Sequence, residues 1–183
     1  MHSCRSAIPT GRPSPGISKT VTPPTVHFRQ MTEPEYEDFR ERSVPDYADD
    51  LVRSRGMSPE AALRASRETY PATLADAVAP GRTWVLRALD ADGLAVGWLW
   101  LGPDPYRDDG VFVYDIEIDE TQRGRGLGKA TMLAAEDVAR EAGLRHIGLN
   151  VFGWNTRAEG LYRSLGYTTR STQLGKPLQG PVS

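Results

Sequence analysis

The chain has 183 residues, of which 39% are hydrophobic and 25% are charged, and its formal net charge is −2 at pH 7. This length and composition are typical of one ordinary globular domain that is large enough to bury a core. The small net charge argues against a general attraction to nucleic acid or to an anionic membrane surface, so we expect neither as a partner.

Cysteine usage and hydropathy exclude further classes. Cys4 is the single cysteine, so the chain cannot form an internal disulfide, and no Cys/His cluster is present that could bind zinc. No apolar run approaches the roughly 20 residues that span a bilayer, and the first residues lack the apolar core of a signal peptide. We therefore expect a cytoplasmic protein without a bound metal.

The first 25 residues differ in composition from the rest of the chain. They contain five prolines and many small polar residues but no Asp or Glu. Such a segment cannot bury enough apolar surface to offset its loss of conformational entropy. We predict a disordered tail over residues 1–25, although a transit peptide remains an alternative. The domain is then expected over 26–177, followed by a short C-terminal tail over 178–183.

The first elements of the domain are a strand and several helices. Alternation over residues 26–29 predicts a strand, and Thr32 with Glu35 forms a capping box that begins a helix. The segment 43–46, which contains Pro45, indicates the start of a second helix. A serine N-cap followed by proline and glutamate predicts a third helix over residues 58–71.

Strands dominate the middle of the chain. Residues 83–89 and 94–101 read as two strands joined at an Asp-Gly turn, and residues 111–118 form another. In this third strand we expect Phe112, Tyr114, Ile116 and Ile118 on one face and Asp115 with Glu117 on the other.

A helix follows over residues 127–142, then a strand over 146–152, and then a helix that begins at Asn155 and ends at Gly166. Two short strands are expected near Tyr167 and Leu174. Antiparallel hairpins combined with one strand–helix–strand crossover predict an α/β (α+β) fold around a mixed sheet.

The segment Gln122-Arg-Gly-Arg-Gly-Leu-Gly128 carries the clearest chemical signal. Its alternating glycines allow a ligand to approach the backbone closely. The segment also leads into a helix N-terminus, where unpaired N–H groups and the helix dipole favour an anion. Arg123 and Arg125 add positive charge, so the pattern is typical of a pyrophosphate site. A simple Gly/Arg-rich surface turn is the alternative.

Two familiar phosphate-binding patterns do not match this segment. A dinucleotide fingerprint that starts at Gly124 would require Gly or Ala at position 129, where Lys129 stands. A P-loop that ends at Lys129 would require Gly at position 123 and Ser or Thr at position 130, where Arg123 and Ala130 stand.

The remaining pattern, Arg-x-x-Gly-x-Gly after a strand, resembles the coenzyme A pyrophosphate loop of the GNAT superfamily of N-acetyltransferases. Downstream, Asn155-x-x-Ala-x-x-Leu-Tyr162-x-x-Leu-Gly-Tyr167 is similar to the second signature of that family. The resemblance is specific over residues 112–167, and it is closest to bacterial GNAT enzymes of undefined acceptor.

The resemblance implies a GNAT fold with six or seven strands, in which the fourth and fifth strands splay apart around the pantetheine arm of acetyl-CoA. It assigns coenzyme binding to the strand and loop residues Ile116, Ile118, Arg123, Gly124, Arg125, Gly126 and Gly128. It also implies that Asn155 contacts the pantetheine arm, although a plain helix N-cap explains this residue equally well.

Transfer of an acetyl group to an amine requires one group that accepts a proton and another that protonates the leaving thiolate. The resemblance makes Tyr162 the candidate general acid, and the alternative is a core aromatic residue. Glu117 could accept the proton through water or hold a cationic substrate, or it could lie on a solvated sheet face. Asn150 stands where some family members have a glutamate base, and an amide cannot act as one.

We therefore expect an acetyl-CoA-dependent N-acetyltransferase that acts on a small-molecule or peptide amine, with a homodimer as one possible assembly. Two other functions stay open. The first is a non-catalytic acetyl-CoA-binding module of the same fold. The second is another anion-binding protein, in which Arg123 and Arg125 hold a phosphorylated sugar or nucleotide.

Overall fold

The structure is a computed structural model that describes residues 23–79, 82–176 and 178. Most of the predicted N-terminal tail (1–25) therefore lies outside the described residues, as does most of the predicted C-terminal tail (178–183). Pro23, Pro24 and Thr25 are exposed and have no regular secondary structure, and the side chain of Pro24 lies against Gly126.

A single mixed sheet organises the described residues. Its order follows the chain, the first four strands are antiparallel, and the last two are parallel. The strands are β1 (His27–Gln30), β2 (Trp84–Leu89), β3 (Ala95–Pro103), β4 (Gly110–Ile118) and β5 (His146–Leu149). The predicted mixed α/β architecture is confirmed.

Helices cover both faces of this sheet. They are α1 (Glu33–Arg55), α2 (Pro59–Thr69), α3 (Leu74–Val78), α4 (Leu127–Glu141) and α5 (Thr156–Ser164), with a short 3-10 helix at Glu120–Gln122. On one face, α4 and α5 pack on an aliphatic core that includes Leu99, Leu101 and Met132. On the other face, α1 and α2 pack on an aromatic core in which Phe39 meets Trp98 edge-on at 5.4 Å.

The predicted start of a second helix at residues 43–46 is wrong, because α1 continues through Pro45. A proline inside a helix removes one hydrogen bond and costs about 3 kcal/mol. Buried apolar residues on both sides of it, including Phe39 and Leu51, offset this cost by holding the helix against the rest of the protein. The Ser66 hydroxyl also donates a 2.7 Å hydrogen bond to the carbonyl oxygen of Val44.

The two strands predicted near Tyr167 and Leu174 are absent, so the sheet has five strands over the described residues, not six or seven. Every residue from 168 to 176 is exposed. A segment without a buried face has no apolar contacts to fix its register against β5. Tyr167 is half-buried, with its ring centre 5.9 Å from that of Tyr162.

A β-bulge in β4 changes which side chains share a face. Trp100 pairs with Asp115 but Leu101 pairs with Val113, so Tyr114 is the extra residue. Its ring stacks on Trp100 at 5.1 Å. The prediction that Phe112 and Tyr114 share the face of Ile116 and Ile118 is therefore wrong. They lie on the aromatic face with Asp115 and Glu117, because a bulge shifts the alternation by one residue.

Candidate active site

The last two strands pair over a short stretch and then separate. The parallel pairing runs from Gly110 opposite His146 to Val113 opposite Leu149. There β5 ends, whereas β4 continues to Ile118. Among the described residues no strand pairs with the second half of β4 on this side. The backbone groups of residues 114–118 that point this way therefore border a gap, as the family resemblance implies.

A cleft of about 600 Å³ lies beside the end of β5 and along α5. Gly148, Leu149, Tyr162 and Tyr167 contribute to its wall. Asn150 also lines it, and this residue lies one position past the end of β5, because the strand is shorter than the predicted 146–152. The cleft therefore follows β5, α5 and the segment after it, and neither β4 residues 114–118 nor the glycine-rich segment contributes to its wall.

The glycine-rich segment forms the turn that leads into α4. Gly124 and Gly126 both have φ of +82°, a backbone conformation that favours glycine. Gly126 is the N-cap, and α4 begins at Leu127. The first N–H groups of a helix lack intrahelical partners and carry the positive end of the dipole. This turn can therefore hold an anion without a special side chain.

The start of α4, the end of β4 and α5 converge at Gly128. A Cβ atom at this position would lie 3.5 Å from Leu161 Cδ2 and 3.9 Å from Ile118 Cγ1. The glycine-rich turn is thus next to the end of the gap and to Leu161, the residue before Tyr162 in α5. Ile116 and Ile118 direct their side chains toward the α4 layer, where both are partly buried.

The two arginines of the turn are about half-exposed and contact protein groups. Arg123 donates a 2.9 Å hydrogen bond to the carbonyl oxygen of Ile118 and a 3.1 Å bond to Glu117. Arg125 is hydrogen-bonded to Gln122 and lies 3.9 Å from a carboxylate oxygen of Asp90. Both guanidinium groups add positive charge beside the turn.

Glu117 connects the turn to the helical layer on the aromatic face. Its carboxylate is bound by Arg123 and, at 3.0 Å, by Arg42 of α1. The Arg42 guanidinium lies over the Trp98 ring, 4.4 Å from its centre. Burial raises the pKa of Glu117, and the charges of the two arginines oppose that shift.

Asp115 lies on the same face of β4 as Glu117, as the sequence predicts, but the sequence gives no indication of a role for it. The Tyr70 hydroxyl donates a 2.7 Å hydrogen bond to its Oδ2 atom. Burial raises the pKa of the Asp115 carboxyl, and hydrogen bonding from Tyr70 and Ser43 opposes this shift. Tyr70 closes the end of α2, 45 residues away. The only feature of the sequence that marks Asp115 is its position as an acidic residue between the apolar residues of a strand.

Tyr162 lies on the buried side of α5 and is 9% exposed. Burial raises the pKa of its phenol, and the nearby negative charge of Asp115 raises it further. The hydroxyl therefore stays protonated at neutral pH. Asn155 begins the same helix, and its side-chain oxygen accepts a 3.1 Å hydrogen bond from the Ala158 N–H. The amide nitrogen of Asn155 is exposed at the helix start.

Two negative findings apply to the described ranges. Over residues 23–79, 82–176 and 178, no three His, Cys, Asp or Glu side chains are grouped to hold a metal ion. The helices in these ranges also include none with the length and apolar character needed to cross a membrane.

Comparison with known proteins defines the class. Residues 32–167 match the acetyltransferase (GNAT) family. The uncharacterized N-acetyltransferase YdgE of Bacillus subtilis is 30% identical over 149 residues, which is 81% of this chain and 95% of YdgE. A fold of this kind, with a splayed sheet and a glycine-rich turn before a helix, is that of an N-acetyltransferase. The chain belongs to the GNAT family.

Solved structures agree with this assignment. The crystal structure of YycN from Bacillus subtilis is 25% identical and superposes with a TM-score of 0.74, covering 85% of this chain and all of YycN. The PaiA N-acetyltransferase of Thermoplasma acidophilum, solved in complex with coenzyme A, has a TM-score of 0.61 at 18% identity and covers 81% of this chain and 93% of PaiA. The expected GNAT fold is confirmed, with five strands.

Proposed function

We propose that this protein transfers the acetyl group of acetyl-CoA to a primary amine, by direct attack within a ternary complex. The observation that carries the proposal is the unpaired second half of β4, with the glycine-rich turn at its end and with Gly128 of that turn next to Leu161, the neighbour of Tyr162 in α5. PaiA, which shares the fold, is known in complex with coenzyme A.

The residues of the gap fit the parts of acetyl-CoA. The N–H groups at the start of α4 and the charges of Arg123 and Arg125 would bind the pyrophosphate. The backbone edge of β4 at Ile116 would pair with the amide groups of the pantetheine arm, as an added strand would, and Ile118, whose carbonyl oxygen accepts a hydrogen bond from Arg123, would border the arm. The amide nitrogen of Asn155 could donate a further hydrogen bond to this arm.

The leaving thiolate needs a proton when the acyl group moves. Tyr162 is suited to supply it, because burial and the charge of Asp115 keep its phenol protonated. An ordinary thiol has a pKa of about 8.5, which is lower than the pKa of a phenol. The phenol must therefore transfer its proton to sulfur while the carbon–sulfur bond breaks, because it would not protonate a free thiolate to a large extent at equilibrium. Glu117 remains a candidate proton acceptor and the link between α1 and the turn.

Binding is tested first, by isothermal titration of the protein with acetyl-CoA and with NAD and ATP as controls. We expect acetyl-CoA alone to bind, and failure to bind it would refute the proposal. A panel of primary amines, followed by release of free thiol, then separates an enzyme from the alternative, a non-catalytic acetyl-CoA-binding module. Binding without turnover on any amine would favour the module.

The role of Tyr162 is tested by the Tyr162→Phe variant, with Tyr167→Phe as the matched control from the same cleft. We expect Tyr162→Phe to lower kcat by about 100-fold or more, a usual value for loss of a general acid. Its acetyl-CoA affinity should change little, and Tyr167→Phe should keep turnover. Equal turnover in the two variants would show that Tyr162 is not the general acid and only packs in the core as an aromatic residue.

A further inference from the structure

We propose that the N-terminal tail, residues 1–25, is part of the coenzyme site. Pro24 holds the end of this tail against the glycine-rich turn, and the basic residues before it stabilise the phosphate groups of the ligand bound there. The inference rests on the proposed binding of acetyl-CoA and deepens it by adding a segment outside the GNAT match, which begins only at residue 32.

The tail joins the domain beside the start of α4. Val26, the residue before β1, is 6% exposed and belongs to the same buried cluster as Leu127, the first residue of α4. A Cβ atom on Gly126 would lie 3.3 Å from Pro24 Cγ and 3.5 Å from Pro24 Cδ. The chain therefore enters the fold in van der Waals contact with the N-cap at which an anion would bind.

The positive charge of the turn itself is largely balanced by protein acids. Arg123 is bonded to Glu117, and Arg125 lies beside Asp90. The segment 115–129 contains four acids and three bases, so its formal charge is −1. Coenzyme A carries a pyrophosphate and a further phosphate on its ribose. Additional cations near the turn would therefore stabilise the bound coenzyme.

The tail has the charge that the rest of the chain lacks. Residues 1–25 contain Arg5, Arg12 and Lys19 but no Asp or Glu, which gives a formal charge of +3. The whole chain has a net charge of −2, so residues 26–183 carry −5 without these three cations. A domain with this charge repels a polyanionic ligand at long range. A basic segment attached at the binding site offsets that repulsion.

Lys19 is the basic residue nearest to the turn. It lies five residues before Pro24, and five residues span at most about 18 Å. A cation tethered at this distance has a high effective concentration at the turn. The helix dipole and the two arginines repel such a cation until an anion is bound. The tail should therefore stabilise the bound ligand and not block the empty site.

The experiment neutralises the tail in the full-length chain. The tail variant replaces its three basic residues with glutamine: Arg5→Gln, Arg12→Gln and Lys19→Gln. The matched control replaces three exposed arginines of α1 and α2, on the other face of the sheet: Arg55→Gln, Arg64→Gln and Arg67→Gln. Both variants lower the formal net charge from −2 to −5, so a difference between them reports where the charge lies.

Acetyl-CoA affinity is measured by titration at two ionic strengths. At 0.01 M, where the Debye length is about 30 Å, the tail variant should raise the Kd about 10-fold and the control less than about 3-fold. At 1 M, where the Debye length is about 3 Å, the two variants should bind alike. Equal affinity at 0.01 M overturns the inference. Tighter binding by the tail variant also overturns it, because a tail that blocks the turn would give that result.

Single variants test the attachment at Pro24. Arg5 lies 19 residues before Pro24, whereas Lys19 lies five residues before it. A cation on the shorter tether has the higher effective concentration, so Lys19→Gln should weaken binding more than Arg5→Gln does. The reverse order would contradict a tail that is held at the turn by Pro24.

Cleavage by trypsin after Lys19 gives a second measurement, which needs no variant. Saturating acetyl-CoA should slow this cleavage at 0.01 M ionic strength, and at 1 M it should not, because salt screens the contact between tail and phosphates. General stabilisation of the domain by the ligand would act at both ionic strengths. A rate of cleavage that acetyl-CoA leaves unchanged at 0.01 M overturns the inference.

Failure of the inference and failure of the proposed function give different results. A wild-type protein that binds no acetyl-CoA overturns the proposed function, and this inference with it. A wild-type protein that binds acetyl-CoA, with equal affinities in the tail variant and the control at 0.01 M, overturns the inference alone.

Discussion

Replacing Gly128 with aspartate would place a negative charge beside the proposed pyrophosphate site with little effect on the fold. Gly128 is the second residue of α4, and a Cβ atom there makes only ordinary contacts, at 3.5 and 3.9 Å. An acidic residue in the first turn of a helix stabilises it by about 0.3–1 kcal/mol. Replacing a helical glycine with aspartate adds only about 0.3 kcal/mol more, because aspartate ranks just above glycine in helix propensity. The variant should therefore melt at or slightly above the wild-type temperature.

Ligand affinity should respond in the opposite direction. We take the separation between a carboxylate at this position and a phosphate bound at the N-terminus of α4 as about 5 Å, roughly the length of one helical turn. Two like charges at that distance repel by roughly 2–3 kcal/mol at an effective dielectric constant of 20–40. That energy corresponds to an increase in the acetyl-CoA Kd of about 30- to 150-fold.

The matched control is Gly128→Asn, which has nearly the same size and shape without the charge. Titration of both variants with acetyl-CoA at low and at physiological ionic strength isolates the electrostatic part, which salt should weaken. Equal affinity of the Asp and Asn variants would refute the placement of the pyrophosphate at this turn. A large loss in both variants would indicate steric blockage of the gap.

Three further predictions concern folding. The Arg29 hydrogen bond lowers the pKa of Glu35 to about 2, so Glu35→Gln should cost about 1–2 kcal/mol at pH 7. That difference should shrink as the pH falls from about 4.5 toward 2, and a constant difference in urea melts would contradict the assignment. Gly97→Ala should cost about 3 kcal/mol or more in the same assay, because its Cβ would lie 2.1 Å from the carbonyl oxygen of Glu117. Gly160→Ala in α5 has free space and should instead stabilise the protein by up to about 1 kcal/mol.

Local chemistry made much of the site predictable. The Gly124–Gly128 turn, the helix after it and the Asn155 cap depend on residues that are neighbours in sequence, and the structure forms each of them. The continuity of α1 through Pro45 was not predictable in this way, because tertiary burial outweighs a local penalty. The bulge at Tyr114 was missed because strand alternation carries no mark of an inserted residue.

The contact between Asp115 and Tyr70 was invisible for a different reason. Two residues at the ends of separate elements meet only after α2 has packed on the sheet, and no spacing in the sequence encodes that meeting. The same holds for Arg42 and Glu117, which belong to α1 and β4. The sequence therefore predicted the local geometry of the glycine-rich turn better than it predicted these contacts between separate elements.

The short pairing between β4 and β5 has a mechanical consequence. β5 and α5 form a C-terminal arm that is joined to the rest of the sheet by four paired positions and by the aliphatic core beneath. A ligand bound along the unpaired edge of β4 would contact both this arm and the main sheet, and it would therefore couple their stabilities. In the ligand-free protein the arm should then unfold before the rest of the domain. The ligand-bound protein should instead unfold as one cooperative unit.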